Sequence, residues 1–217
     1  MKLDKQDAIN KTINYVKDIL KDDSSGHDWW HIERVRKLAL YIGTNESANI
    51  FVIEMAALLH DIADEKLNNS EKEGLAKVEQ WLSSLQINET DQEHILEIIS
   101  TMSFKGGNRP PVRTIEGQVV QDADRLDAIG AIGIARTFAY AGAHGDLMYD
   151  PDLPYRESMT KEEYRNGKST AINHFYEKLL KLSTTLNTDT AKRIAEERHK
   201  FMLDFLEQFY KEWNGTL

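Results

Sequence analysis

The sequence predicts an all-α fold, and three observations carry that expectation. Apolar residues recur at three- and four-residue spacing along most of the 217-residue chain, as in helices that bury one stripe. No segment alternates apolar and polar residues with the period of two that a half-buried strand requires. The four prolines and twelve glycines are few and clustered, so most of the chain is free to be helical.

Ile9, Ile13, Val16 and Leu20 place a first amphipathic helix on the core, and it stops in the polar KDDSSG. Asp28 follows as an N-cap for a second helix through WWHIERVRKLALYI, whose buried stripe reads His31, Val35, Leu38 and Ile42. A histidine thus sits on a core-facing side. Next comes Ile50 to Asp64, IFVIEMAALLHDIAD, where Glu54 is the only polar side chain before His60. Such a helix is apolar nearly all round and belongs at the centre of a domain. After the polar DEKLNNSEKEG, Leu75, Val78, Leu82 and Leu85 mark a further helix, with Trp81 beside them, and Ile95, Leu96, Ile98 and Ile99 another. The loop MSFKGGNRPPVRT halts regular structure.

The chain resumes with VVQDADRLDAIGAIGIARTFAYA, whose Ala128, Gly130, Ala131, Gly133 and Ala135 suit close helix packing. From Gly142 to Gly167 the pattern lapses. That stretch is either a flap over a cleft, stiffened by Tyr149, Pro151, Pro154 and Tyr155, or a surface excursion. Ile172, Phe175, Leu179 and Leu182, then Ile194, Arg198, Phe201, Phe205 and Phe209, give two closing helices. The chain reads as one domain over 1–217, with a core at about 24–140, the irregular stretch at about 142–168 and a helical hairpin at about 169–213.

Hydrophobic residues at 41% and charged residues at 29% describe an ordinary globular protein. No window approaches the ~18 apolar residues of a membrane span, and MKLDKQDAINK lacks the apolar region of a secretory signal, so a cytoplasmic protein with no membrane partner is expected. Zero cysteines exclude disulfides, thiolate nucleophiles and Cys-ligated zinc, leaving His and carboxylates as the strong metal ligands. A net charge of -9 argues against nucleic-acid binding, which needs a basic face. It leaves room for a small phosphorylated ligand if a metal and a few Lys or Arg reverse the sign locally.

Three places put ligand-type residues on core-facing segments: His31, the pair His60-Asp61, and Asp124 in QDADRLDA. Singly, each has a bland reading as a satisfied core histidine or a helix cap. A buried helix that ends in His-Asp is harder to explain that way, because an ionised carboxylate leaving water needs a cation or donors to meet it. Together the residues supply two imidazoles and two carboxylates, a coherent set of ligands for one divalent ion with open positions.

His31, His60-Asp61 and Asp124, in this order and on helices, resemble the H...HD...D signature of the HD-domain metal-dependent phosphohydrolases. The stretches GHDWWHIERV, ALLHDIADEK, STMSFKGG, QDADRLDAIGAIGIAR and NHFYEKLLKL are similar to the bacterial YpgQ/YedJ-like branch of that superfamily, over most of the chain. The resemblance implies a compact helical HD-domain fold whose buried central helix carries the His-Asp pair, and a manganese-dependent nucleotide pyrophosphohydrolase activity known in that branch. It also implies His31, His60, Asp61 and Asp124 as ligands of one divalent ion, with Mn2+ favoured over Mg2+, Co2+, Ni2+ or Fe2+. Asp124 is preferred to Asp122 because A-D-R-L-D-A matches the family's A-D-x-L-x-A pattern.

An acid/base group belongs within one turn of the metal, which selects Asp64 and Glu65; the bland reading of both is a solvated helix end. Alarmone hydrolases carry the two acids in reverse order, H-D-x-x-E-D, where this chain has H-D-x-x-D-E. Phosphate oxygens call for further donors, and His27, Lys66 and Lys105 are the substrate-binding candidates. Asp127 is a fourth, as a substrate contact or a support for the ligands, against a plain salt bridge. The expected reaction is hydrolysis of a nucleoside triphosphate to monophosphate and pyrophosphate. Rival readings are a nucleoside monophosphate phosphatase, an alarmone hydrolase, a cyclic-nucleotide phosphodiesterase and a non-catalytic nucleotide sensor.

Overall fold

A computed structural model describes residues 4–21, 28–64, 67–102, 112–157 and 167–216. Every regular element among the described residues is helical, as the patterning predicts. They form two compact units, 1–124 and 125–217.

The first unit holds α1 (Lys5–Ile19), α2 (Trp29–Asn45), α3 (Ile50–Leu59), a 3-10 turn (His60–Ala63), α4 (Glu71–Ser84), α5 (Glu89–Met102) and most of α6 (Ile115–Asp127). Its hub is α3, against which α1, α2 and α5 all pack. Val52, Ile53 and the run Met55 to Leu59 are fully buried. Each large side chain among them contributes about 1.5–3 kcal/mol on leaving water, which is why the least polar stretch takes the centre. Asp28 caps α2 as expected, its carboxylate accepting His31 N–H at 2.9 Å. The buried side of α2 comprises His31, Ile32, Val35, Ala39 and Ile42, with Leu38 only half-buried.

One local difference matters for the site. The spacing argument places Asp64 on the same helix as His60, but α3 tightens at His60 into the 3-10 turn, and Asp64 leaves it in an extended conformation with ψ 144°. Its N–H donates back to the Asp61 carbonyl at 3.0 Å.

In the second unit, α7 (Gly130–His144) follows α6 after a break. The long segment read as one run of small residues is therefore split. Ala128 and Ile129 N–H close the end of α6 on the Arg125 and Leu126 carbonyls, both at 3.2 Å, and Gly130 takes φ 76°, a conformation that costs a side-chain-bearing residue more. Ala171–His174, a π-helical Phe175–Leu179 and Leu180–Leu182 form a composite helix, α8, and Asp189–Trp213 forms α9. Phe138, Phe175 and Phe205 meet at the core of this unit, with ring centroids 5.8–6.3 Å apart. On α9 the buried line is Ala191, Ala195, Met202 and Leu206. Phe201, expected in the stripe, is 52% exposed. Small and flexible side chains let α9 approach α7, and its larger aromatics Phe205 and Phe209 flank the contact.

Of the stretch read as irregular from Gly142 to Gly167, 142–144 completes α7, and 145–157 is tied to α8 and α9. Leu147 and Met148 carbonyls accept Ala171 and Ile172 N–H, and the Arg156 guanidinium forks onto Glu177 at 2.8 and 2.9 Å. Tyr149 packs on Phe209, Tyr210 and Trp213, and Tyr155 stacks on Tyr176.

Candidate metal centre

All four ligand candidates lie in the first unit. The Asp28 cap fixes the first turn of α2 and with it His31, which is 1% exposed. His60 stands where α3 passes into the 3-10 turn, and Asp61 is the next residue of that turn. Asp124 projects from α6.

The ligand atoms of His31, His60 and Asp124 all lie within 4.8 Å of one another. His31 Nε2 is 3.5 Å from Asp61 Oδ2 and 3.5 Å from Asp124 Oδ1. His60 Nε2 is 3.3 Å from Asp61 Oδ1 and 4.0 Å from Asp124 Oδ1. Three of the four, at 3.3–3.5 Å, exceed ordinary hydrogen bonds but match atoms that share an ion, since two ligands each at about 2.1 Å from a metal stand about 3–3.5 Å apart, and wider angles at the metal reach about 4 Å. Asp61 thus offers one oxygen toward each imidazole.

The tautomer of His60 is set from behind. His60 Nδ1 lies 2.8 Å from the Ala57 carbonyl and donates to it, which leaves the Nε2 lone pair facing the carboxylates. That Nε2 is buried and makes no hydrogen bond among the described residues. A buried lone pair aimed at two carboxylates, with no donor among the described residues to meet it, is what a cation completes. The donor set fits a divalent ion.

Electrostatics agree. Burial pushes the His60 imidazolium down, but Asp61, Asp124, the Ala57 carbonyl and Asp64 outweigh it, so the net shift is upward. The carboxylates seek positive charge at this point. His31, His60 and Asp61 keep only 2%, 4% and 10% of their side chains exposed, whereas Asp124 keeps 41%, so the cluster opens to solvent on the Asp124 side. Asp122, two residues before it, is completely buried.

Among the other sequence candidates, Asp64 is close enough to bear on His60 and is only partly buried. His27, Glu65, Lys66 and Lys105 lie outside the described residues. Asp127 belongs to the second unit, where it is 3% exposed and pairs with Arg136 Nη1 at 2.5 Å. Near the N-terminus of α2, the Trp29 ring is covered by Lys17 Nζ at 4.6 Å, while Trp30 is 65% exposed.

The HD-domain family model matches residues 29–129, a span that encloses every ligand candidate. An HD-superfamily hydrolase from Bacillus thuringiensis is 54% identical in sequence, covering 97% of this chain and 99% of that one with a TM-score of 0.80. The protein YpgQ of Bacillus subtilis is 43% identical over 203 residues, 93% of this chain and 91% of its own length. The chain belongs to the HD superfamily. Membership makes it a hydrolase of the HD type, a metal-dependent phosphohydrolase in its coarse chemistry. The crystal structure of Bacillus subtilis YpgQ in complex with ADP matches it with a TM-score of 0.77, over 94% of this chain and 97% of that one.

One support of this HD site escaped the sequence reading. Glu54, the polar residue in the apolar run of α3, accepts Arg36 Nε at 2.8 Å and Nη2 at 2.6 Å. Arg36 also donates to Glu33 at 3.0 Å. Burial opposes the charge on Arg36, yet Glu54 and Glu33 hold its pKa above the usual arginine value. The pair ties α2, which carries His31, to α3, which leads into His60. A lone acid in an apolar helix was the available signal, since it demands a cationic partner.

Proposed function

We propose that the chain hydrolyses a nucleotide phosphoanhydride, with nucleoside triphosphate going to monophosphate and pyrophosphate, at one divalent ion held by His31, His60, Asp61 and Asp124. The observation that carries the reading is the convergence of the buried His31 and His60 nitrogens with an Asp124 oxygen within 4.8 Å of one another, with the Asp61 oxygens 3.3 and 3.5 Å from the two imidazoles and the cluster open to solvent at Asp124. Mn2+ suits two imidazoles and two carboxylates better than a harder, all-oxygen ion does. The ADP bound to Bacillus subtilis YpgQ supports a nucleotide as the ligand class.

A bound divalent ion supplies polarisation of a phosphoryl oxygen and raises the acidity of water. Asp64, with Glu65 beside it, takes a proton from the attacking water as its oxygen bonds to the α-phosphorus. The bond from that phosphorus to the bridging oxygen breaks, and pyrophosphate leaves. His27, Lys66 and Lys105 are assigned to steady the phosphate oxygens, since a triphosphate carries more charge than one ion offsets. Asp127 is assigned to its ion pair with Arg136 and not to substrate. The reading covers residues 1–217 as one HD-type hydrolase domain. No helix among the described residues is long and apolar enough to cross a membrane.

The test is turnover of ribo- and deoxynucleoside triphosphates with Mn2+, scoring pyrophosphate apart from orthophosphate beside an Asp61→Ala control. Pyrophosphate from the unmutated protein alone is expected. Orthophosphate alone replaces the reading with a phosphatase. No turnover of triphosphates, monophosphates or alarmones replaces it with a nucleotide sensor.

A further inference from the structure

The turn that carries His60 and Asp61 is gripped from behind by residues with no place in the ligand set. Asn68 Nδ2 donates to two main-chain carbonyls, those of Ile62 and Asp64, each at 2.8 Å. Asn68 Oδ1 accepts Lys77 Nζ of α4 at 2.6 Å. Because an ammonium only donates, this contact fixes which end of the carboxamide is oxygen and which is nitrogen. Gly74, one helical turn before Lys77 on the same face of α4, lies against the turn as well. A Cβ at Gly74 would stand 2.5 Å from the Ala63 carbonyl oxygen and 2.8 Å from Ala63 Cα. Main-chain atoms do not swing aside as a side-chain tip does.

A 3-10 turn has poorer internal hydrogen-bond geometry than an α-helix, and the carbonyls at its end have no intrahelical donors. The Asp64 carbonyl accepts Leu67 N–H at 3.0 Å, and Asn68 adds a second donor there and supplies one at Ile62 from outside the turn. Here a single nitrogen bridges the carbonyls on either side of Ala63, while the oxygen of the same amide is anchored to α4. Aspartate in that place would keep the anchor and lose both donors. Serine would offer one donor.

We propose that Asn68 is a positioning residue of the metal centre. By fixing the main chain at Ile62 and Asp64 relative to α4, it sets the direction in which Asp61 presents its two oxygens to His31 and His60, and where Asp64 stands beside them. The role in metal binding rests on the reading of His31, His60, Asp61 and Asp124 as ligands. A mere loop staple would affect stability alone; a positioning residue alters the ligand geometry of the folded protein.

The test uses Asn68→Ala and Asn68→Asp in the full chain, at a temperature where circular dichroism shows the variants folded. Two readouts are taken. In metal-free protein, the imidazole nitrogen and proton resonances of His60 and His31 are expected to shift from their wild-type positions, while those of exposed His144 stay. In titration with Mn2+ alone, Kd is expected to rise about 10–100-fold, the usual effect of removing a group that orients a metal ligand. Unshifted His60 and His31 resonances in both variants overturn the proposal. So does a Kd within about twofold of wild type where wild type binds Mn2+, or wild-type affinity in Asn68→Asp alone, since that variant has lost the donors. If wild type takes up no Mn2+ yet the resonances shift, the ligand reading falls and the positioning of the turn by Asn68 stands.

Discussion

Glu54→Gln isolates how far the junction of α2 and α3 depends on charge. Glu54 keeps 10% of its side chain exposed and Arg36 keeps 19%. Glutamine preserves the shape and an oxygen able to accept from Arg36 Nε and Nη2, and removes only the negative charge. Opposite charges about 4 Å apart attract by about 4 kcal/mol at an effective dielectric of about 20. Part of that is returned because a neutral amide costs less to bury than a carboxylate. Glu33, 3.0 Å from Arg36 Nη1, still offsets the guanidinium. The net loss comes to about 1–3 kcal/mol, which at roughly 2–4 °C per kcal/mol for a chain of this size lowers the melting temperature by about 2–12 °C. Urea unfolding at pH 7 measures it, in a double-mutant cycle with Arg36→Met. The double variant should be more stable than the two single losses imply, by at least about 0.5 kcal/mol, because Arg36→Met alone strands the Glu54 carboxylate whereas the double variant has none there, and Glu33 keeps Lys37 in both. A Glu54→Gln protein as stable as wild type, or a strictly additive cycle, refutes the reasoning.

Three more expectations follow from the site and the second unit. Asp64→Ala should bind Mn2+ as wild type does and turn over at least about 100-fold more slowly, and equal kcat would remove Asp64 from proton transfer. Metal removal with a chelator should abolish turnover reversibly. Mn2+ at about 100 times its Kd should then stabilise the protein by about 2.7 kcal/mol, an increment that His60→Ala and Asp61→Ala should lack in thermal melts. At His174, burial and then Lys178 lower the imidazole pKa from 6.5 to about 4, against an opposing effect of Glu177. The unfolded chain then takes up a proton at a pH where the folded one does not. This contribution is fully present above pH 6.5 and is lost as pH falls from 6.5 toward about 4, by up to about 3 kcal/mol. Urea titrations at pH 7 and 5 should show a smaller pH-dependent loss in His174→Asn than in wild type, and equal losses would refute the assignment.

The local features of this chain were legible because they depend on neighbours within one helical turn. The Asp28 cap, the burial of α3 from Phe51 to Leu59 and the inward side of His31 follow from spacing and residue type alone. So does the kind of chemistry, because a chain without cysteine that aims His and Asp at its core has few other uses for them. The tightening at His60 was not legible, because an α-helix and a 3-10 turn accept the same side chains. Nor was the buried line of α9, where the sequence reading put the stripe on Ile194, Arg198, Phe201, Phe205 and Phe209 and packing chose Ala191, Ala195, Met202 and Leu206.

Tertiary structure alone decided which atoms meet. The partner of Glu54 lies 18 residues away on another helix. Asn68 belongs to a polar stretch whose composition reads as plain linker, yet its amide holds the turn bearing His60 and Asp61. Asp122 and Asp124 are alike in charge and size, and only the A-D-x-L-x-A resemblance told them apart in sequence; packing supplies the physical difference, burying one wholly while the other faces both imidazoles from the solvent side. Sequence periodicity specifies the face of a helix to within a residue or so. Orienting a ligand atom to within an ångström requires main chain fixed by contacts between distant segments, and those exist only once the helices have packed.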